Sequence, residues 1–172
     1  MSVDATLTLP APAKLNLFLH VTGRRDDGYH LLESVFVPIT LADTVTLTRR
    51  NDCEIRLIDP PSGLTTENDL ACRAARALQL TTDTPYGVDI RLTKRIPQGG
   101  GLGGGSSDAA AVLLGLNRLW KLGQSRAALQ SIGAALGADV PFFVFGQPAL
   151  ATGIGERLLA VSMPVCDYVV AF

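Results

Sequence analysis

Six of the chain's seventeen glycines fall within residues 99–105, interrupted only by Leu102. Ordering a glycine forfeits roughly 0.5–1 kcal/mol more backbone freedom than ordering an alanine, so six forfeit about 3–6 kcal/mol. Whole domains are held together by only ~5–15 kcal/mol. A bare connector has no use for such a run, whereas backbone that must touch a ligand does. Residues 106–120 then predict an amphipathic helix, because Val112, Leu113, Leu116, Leu119 and Trp120 recur at three- and four-residue steps. Ser106 or Ser107 is the expected N-cap, with Asp108 in the first turn. Arg118 and Lys121 lie at the other end, where the helix dipole favours cations. A glycine loop feeding a helix N-terminus presents backbone N–H groups and a positive dipole end to an anion, most commonly phosphate.

Three well-known phosphate loops do not fit. A Walker loop ends in Gly-Lys-Ser/Thr, and here Gly105 is followed by Ser106 and Ser107. A dinucleotide fingerprint forced onto Gly99, Gly101 and Gly104 needs an acidic residue about 20 positions on, and no Asp or Glu lies between Asp108 and Asp139. A protein-kinase loop sits between strands near the N-terminus, but this one opens a helix in the second half of the chain.

The stretch Pro97, Gln98, Gly99, Gly100, Gly101, Leu102, Gly103, Gly104, Gly105, Ser106, Ser107 resembles the phosphate loop of the GHMP kinases. The extended glycine form is similar to one branch, whose members phosphorylate the 2-hydroxyl of 4-diphosphocytidyl-2-C-methyl-D-erythritol in isoprenoid precursor synthesis. Residues 12–19 (PAKLNLFL), the Asp27-Gly28-Tyr29-His30 stretch and residues 136–143 (LGADVPFF) carry the same resemblance. It implies a two-layer α+β domain, the ribosomal-protein-like N-terminal domain of that family with a left-handed βαβ crossover. It also implies ATP as phosphoryl donor with Mg2+ expected, no residue being assigned to the metal. The acceptor is then a small molecule. Another small-alcohol kinase of the family, or a non-catalytic nucleotide-binding fragment, is the alternative.

Bulk properties agree with an enzyme domain. The 172 residues carry a net charge of −1 and no basic block, which argues against nucleic acid as partner. Hydrophobic residues make up 47% and the mean hydropathy is +0.27, yet no apolar run approaches a membrane span. The N-terminus has neither the basic start nor the apolar core of a signal peptide. Cys53, Cys72 and Cys166 are scattered, as in a reduced cytoplasmic protein.

Strands are expected at 3–9, 13–22, 34–40, 44–50, 54–58 and 88–94, and helices at 68–80, 125–136 and 140–145. Asn68 is a possible cap for the first of these helices. Residues 59–63 read as a turn. The apolar end, residues 167–172, reads as a strand. Residues 1–160 are expected to form the ATP-binding domain and 161–172 to begin a second, truncated one.

Within the strand at 13–22, Leu15, Leu17, Leu19 and Val21 should share one face, and Lys14, Asn16, Phe18 and His20 the other. A lysine in an apolar strand must be solvated, paired or functional. Asp139 precedes Val140 and Pro141 and reads equally as an N-cap. The resemblance assigns Lys14 and Asp139 as catalytic, Asp139 being the general base. It assigns Asn16, Tyr29, His30 and Asp139 to the acceptor, with Tyr29 stacked on cytosine, His30 on its edge, and Phe36 near that pocket.

Overall fold

The computed structural model describes residues 5–26, 28, 30–60 and 65–171. Two long strands, β1 (Thr6–Arg24) and β2 (His30–Arg50), form one antiparallel hairpin where four shorter strands were expected. They are followed by β3 (Ile55–Ile58), α1 (Leu70–Thr82), β4 (Gly87–Thr93) and α2 (Gly104–Leu119). The chain continues through α3 (Arg126–Ala134), α4 (Val140–Phe145), β5 (Ala149–Gly153) and β6 (Arg157–Ala160). β2 is the spine of the sheet, whose order is β3-β4-β2-β5-β6, with β1 also paired to β2. β3 and β4 are parallel and joined through α1; the other pairings are antiparallel. Pro10 and Pro12 fit β1, because a strand paired with β2 alone can spare their missing N–H groups.

The helices cover one face of the sheet. Val45 and Leu47 of β2 and Val88 and Ile90 of β4 pack with Leu78 of α1 and with Val112, Leu113 and Leu116 of α2, all fully buried. Trp120 closes this core at the end of α2 and donates its indole N–H to the Gly87 carbonyl at 3.3 Å. A smaller cluster of Ala13, Ile96 and Leu102, with Val170 against it, seats the glycine loop on β1.

Three expectations change. α1 is capped by Asp69, not Asn68, its carboxylate accepting from the Cys72 N–H at 3.0 Å. α3 begins one residue later than expected, after the Ser125 cap, and ends at Ala134. Residues 161–171 contain no strand, and Val165 and Val169 are fully exposed. An apolar run forms a strand only where it finds a pairing edge, and β6 ends at Ala160. Phe172 lies outside the described residues, as do Val3 and Asp4 of the first expected strand and residues 61–64, which hold most of the expected turn.

Gly87 tests the packing of β4 against the turn before β3. A Cβ there would sit 2.1 Å from the Glu54 carbonyl oxygen and 2.7 Å from that of Asp52, backbone atoms with nowhere to go. Gly87→Ala should destabilise the domain by about 2–3 kcal/mol, lowering Tm by roughly 5–10 °C in thermal unfolding followed by circular dichroism.

Candidate active site

Lys14 is buried because β1 does not alternate cleanly. Register shifts between Pro12 and Lys14, and again between Asn16 and Leu19, break the two-residue period. Bulges re-aim side chains in this way. Ala13 and Lys14 are both buried, whereas Leu17, Leu19 and Val21 are exposed, so the expected division of faces fails along this strand. The Lys14 ammonium is met on three sides. Its Nζ lies 3.2 Å from Asp139 Oδ1, donates to Asn16 Oδ1 at 2.8 Å, and sits 4.0 Å from the centre of the Phe36 ring. Three residues singled out in the sequence therefore meet at one point. Phe36 is the floor beneath the lysine, packed edge-on against Phe142.

Asp139 occupies the N-cap position of α4, but its side chain makes no capping bond. The carboxylate faces Lys14 instead. α4 is held from behind by α3: Arg126 Nη1 donates to the carbonyls of Val144 and Phe145 at 2.9 and 3.0 Å, and Gln130 donates to that of Pro141 at 3.3 Å. Asp139 is one-third exposed and Lys14 only 4%, so a ligand can reach the carboxylate while the ammonium stays dry.

The glycine loop is tied directly to this pair. The Lys14 N–H donates to the Leu102 carbonyl at 3.0 Å. Gly99, Gly101 and Gly103 all have φ near +70 to +77°. Gly103 is the N-cap of α2, replacing the expected Ser106 or Ser107, and no side chain caps the helix. A Cβ on Gly103 would lie 2.8 Å from the Phe143 ring and 3.4 Å from Lys14 Cγ. Only glycine lets the loop turn into the helix this close to the lysine. The first-turn amides of α2 have no intrahelical acceptor and open onto a cleft of about 320 Å³ lined by residues 96–105 together with Asn68, Asp69, Leu70, Lys94 and Asp108. Pro97 and Gln98 lie on its wall. Ser106 follows in the first turn. Ser107 is buried, and its hydroxyl has no hydrogen-bond partner.

Sequence reasoning missed a second charged group under the loop. Lys94 Nζ bridges the carboxylates of Asp43 and Asp108. Asp43 is fully buried and also accepts from the N–H groups of Arg95 and Ile96 at 2.5 and 2.8 Å. Asp108 lies in the second turn of α2, not the first, because the helix starts at Gly104. Burial pushes its carboxyl up to about 7 against the opposing pull of Lys94. Burial lowers Lys94, but its two carboxylates outweigh this and the net shift is upward. The available signal was Asp108 heading the apolar run 109–113, where a carboxylate requires a cation.

His30 begins β2, exposed, opposite Arg24. The turn before it closes through the Gly28 N–H to the Arg25 carbonyl at 3.0 Å. Tyr29 and Asp27 lie outside the described residues. Cys53, Cys72 and Cys166 are free thiols; burial first, then Asp69, pushes the Cys72 thiol up to about 12. Among the described residues no helix is long and apolar enough to cross a membrane.

Comparison with known proteins points to one family. The family profile of the GHMP kinases N terminal domain matches residues 69–147. The chain is 58% identical over 161 residues to the 4-diphosphocytidyl-2-C-methyl-D-erythritol kinase of Ralstonia pickettii, covering 94% of this chain and 56% of that one. It is 60% identical to the enzyme of the same name from Thiobacillus denitrificans, covering 94% and 58%. The crystal structure of a 4-(cytidine 5'-diphospho)-2C-methyl-D-erythritol kinase superposes with a TM-score of 0.80 at 44% identity, over 92% of this chain and 56% of that one. Homoserine kinase from Cytophaga hutchinsonii, at 19% identity and a TM-score of 0.69, shares the fold. The chain thus spans a little over half the length of these relatives. With the profile, the fold and the sequence in agreement, the chain belongs to the GHMP kinase family and carries its N-terminal domain.

Proposed function

We propose that this chain supplies the ATP site and the catalytic pair of an enzyme that phosphorylates the 2-hydroxyl of 4-diphosphocytidyl-2-C-methyl-D-erythritol. The observation that carries the reading is the hydrogen bond from the Lys14 N–H to the Leu102 carbonyl, which ties the glycine loop to a dry lysine paired to an accessible carboxylate. The relatives bearing that enzyme's name, at 58–60% identity over 94% of the chain, support the choice of acceptor.

Phosphoryl transfer depends chiefly on positioning and charge stabilisation. In this reading the backbone amides of residues 99–107, flanked by Pro97 and Gln98, cradle the triphosphate, and the hydroxyls of Ser106 and Ser107 donate to its oxygens. Magnesium arrives with ATP as part of the substrate. Asp139 orients the acceptor hydroxyl and takes its proton. The hydroxyl oxygen bonds to the γ-phosphorus as the bridge to the β-phosphate breaks, and ADP leaves. Lys14 offsets the charge that develops on the transferred group. Asn16, Tyr29 and His30 bind the diphosphocytidyl substrate, Tyr29 against the cytosine face. Residues 1–160 form the nucleotide-binding domain and 161–172 lead into a second.

The test is ATP-dependent phosphorylation of the diphosphocytidyl substrate by the full-length protein, with homoserine and mevalonate as competing acceptors. Turnover confined to the diphosphocytidyl compound is expected, and preference for either other alcohol would refute the assignment. In the same assay Lys14→Ala should lower kcat by about 10²–10³ and Asp139→Asn by about 10²–10⁴, with ATP affinity nearly unchanged. Near-normal turnover would make the pair structural. Tyr29→Leu should raise KM for the diphosphocytidyl substrate and leave that for ATP alone. For the loop, Gly105 is the informative position, because a Cβ there meets nothing within 4 Å. Gly105→Val should weaken ATP binding in calorimetry without lowering Tm. Unchanged affinity would show that phosphate does not approach the start of α2.

A further inference from the structure

The Lys94 bridge places a charge problem beneath the proposed phosphate site. Two carboxylates, Asp43 and Asp108, share one ammonium, so the ionised set carries a net −1 directly under a loop built for an anion. The two carboxylates are not alike. Asp43 spends both oxygens on donors: Oδ1 on two backbone N–H groups and Oδ2 on Lys94. Asp108 spends only Oδ2, and its Oδ1 is buried without a hydrogen-bond partner although the residue lines the cleft. Asp108 is 2% exposed, so solvent does little for that oxygen. Beside it the Ser107 hydroxyl is likewise buried and unpartnered. A bare carboxylate oxygen repels an incoming phosphate. The same oxygen carrying a proton donates to it.

Resting on the nucleotide reading above, we propose that Asp108 binds the nucleotide as a neutral acid, its Oδ1 taking a proton from solvent when the loop fills and donating it in a hydrogen bond to a phosphate oxygen. Nothing else changes covalently, and the bridge passes from net −1 to neutral. The charged groups acting on Asp108 are Lys94 from the end of β4, which opposes protonation, and Asp43 from β2 and Asp69 ahead of α1, which favour it. Burial favours it most and already brings the carboxyl up to about 7. A polyanion alongside raises it further. The sign follows. Where the bound form holds its proton more tightly than the free form, affinity is full below about pH 7 and falls by up to about tenfold per pH unit above it, until the bound form also ionises.

The experiment is calorimetric titration of the full-length protein with AMP-PNP and magnesium between pH 6.5 and 8.5. Each point is measured in two buffers of different ionisation enthalpy, so that protons bound or released are counted. Wild type should take up a substantial fraction of a proton near pH 8, where the nucleotide itself no longer titrates. Asp108→Asn keeps the shape and an N–H donor but cannot ionise. It should take up none, and its affinity should be nearly flat across the range. Proton release by wild type would mean that Asp108 works as an ionised ligand to a cation, which overturns the proposal. Equal uptake in both proteins also overturns it while leaving the nucleotide site intact. Absence of binding in both at every pH overturns the nucleotide reading and this inference with it. Should Asp108→Asn fail to fold, the wild-type proton count alone decides.

Discussion

The Lys14 side chain is only 4% exposed, and an ammonium group removed from water destabilises its surroundings by several kcal/mol unless acceptors meet it. Much of the local architecture can be traced to meeting it. The bulge after Pro12 turns the side chain inward, and the second irregularity after Asn16 leaves that amide within reach of the ammonium. Arg126 and Gln130 of α3 hold α4 so that Asp139 faces β1. The Lys14 backbone is in turn bonded to Leu102, so whatever fixes the lysine fixes the glycine loop.

At Gly103 and Gly104 the loop is pressed from both sides by packed side chains, chiefly Phe143 and Ile96. On one side Phe143 and Lys14 leave no room for a Cβ at Gly103. On the other, a Cβ at Gly104 would lie 3.2 Å from Ile96 and 3.4 Å from the Asp43 carboxylate that holds Lys94. Packing requires glycine at Gly103 and Gly104, and positive φ favours it at Gly99 and Gly101, whereas a Cβ on Gly105 would meet nothing within 4 Å. The same close approach brings an anion in the loop near both lysines.

Much of this was legible in the sequence because it is local. Glycine followed by an apolar period of three to four marks the loop and α2, and the helices expected at 125–136 and 140–145 form as α3 and α4, the first of them shorter. What was hidden depends on partners distant in sequence. Asn68 and Asp69 are equally good caps until tertiary packing buries Asp69 at the end of α1. The two faces of β1 follow alternation until bulges, which leave no composition signal, reverse them at Lys14. Asp139 reads as a cap by position, and only the presence of Lys14 across the fold draws its carboxylate away. The Asp43–Lys94–Asp108 bridge joins residues 51 and 14 positions apart, and no motif announces it.

Lys14 and the partly buried Lys94 are solved by different physics, and the difference separates their work. Lys14 is paired with a carboxylate that is one-third exposed and with the oxygen of an exposed asparagine, partners that a substrate can reach and compete for. Its interactions can therefore be redistributed as charge moves during transfer, as transition-state stabilisation requires. Lys94 is paired with two carboxylates that are 0% and 4% exposed, one of them anchored by backbone N–H groups. Exchanging those partners would strand a buried charge, a loss of about 3–5 kcal/mol. Lys94 stays where it is, and the adjustable element on that side of the loop is the proton on Asp108. Under the proposed function, a phosphate site bounded by one cation free to change partners and another that is fixed would hold a triphosphate in register while the chemistry proceeds at its end.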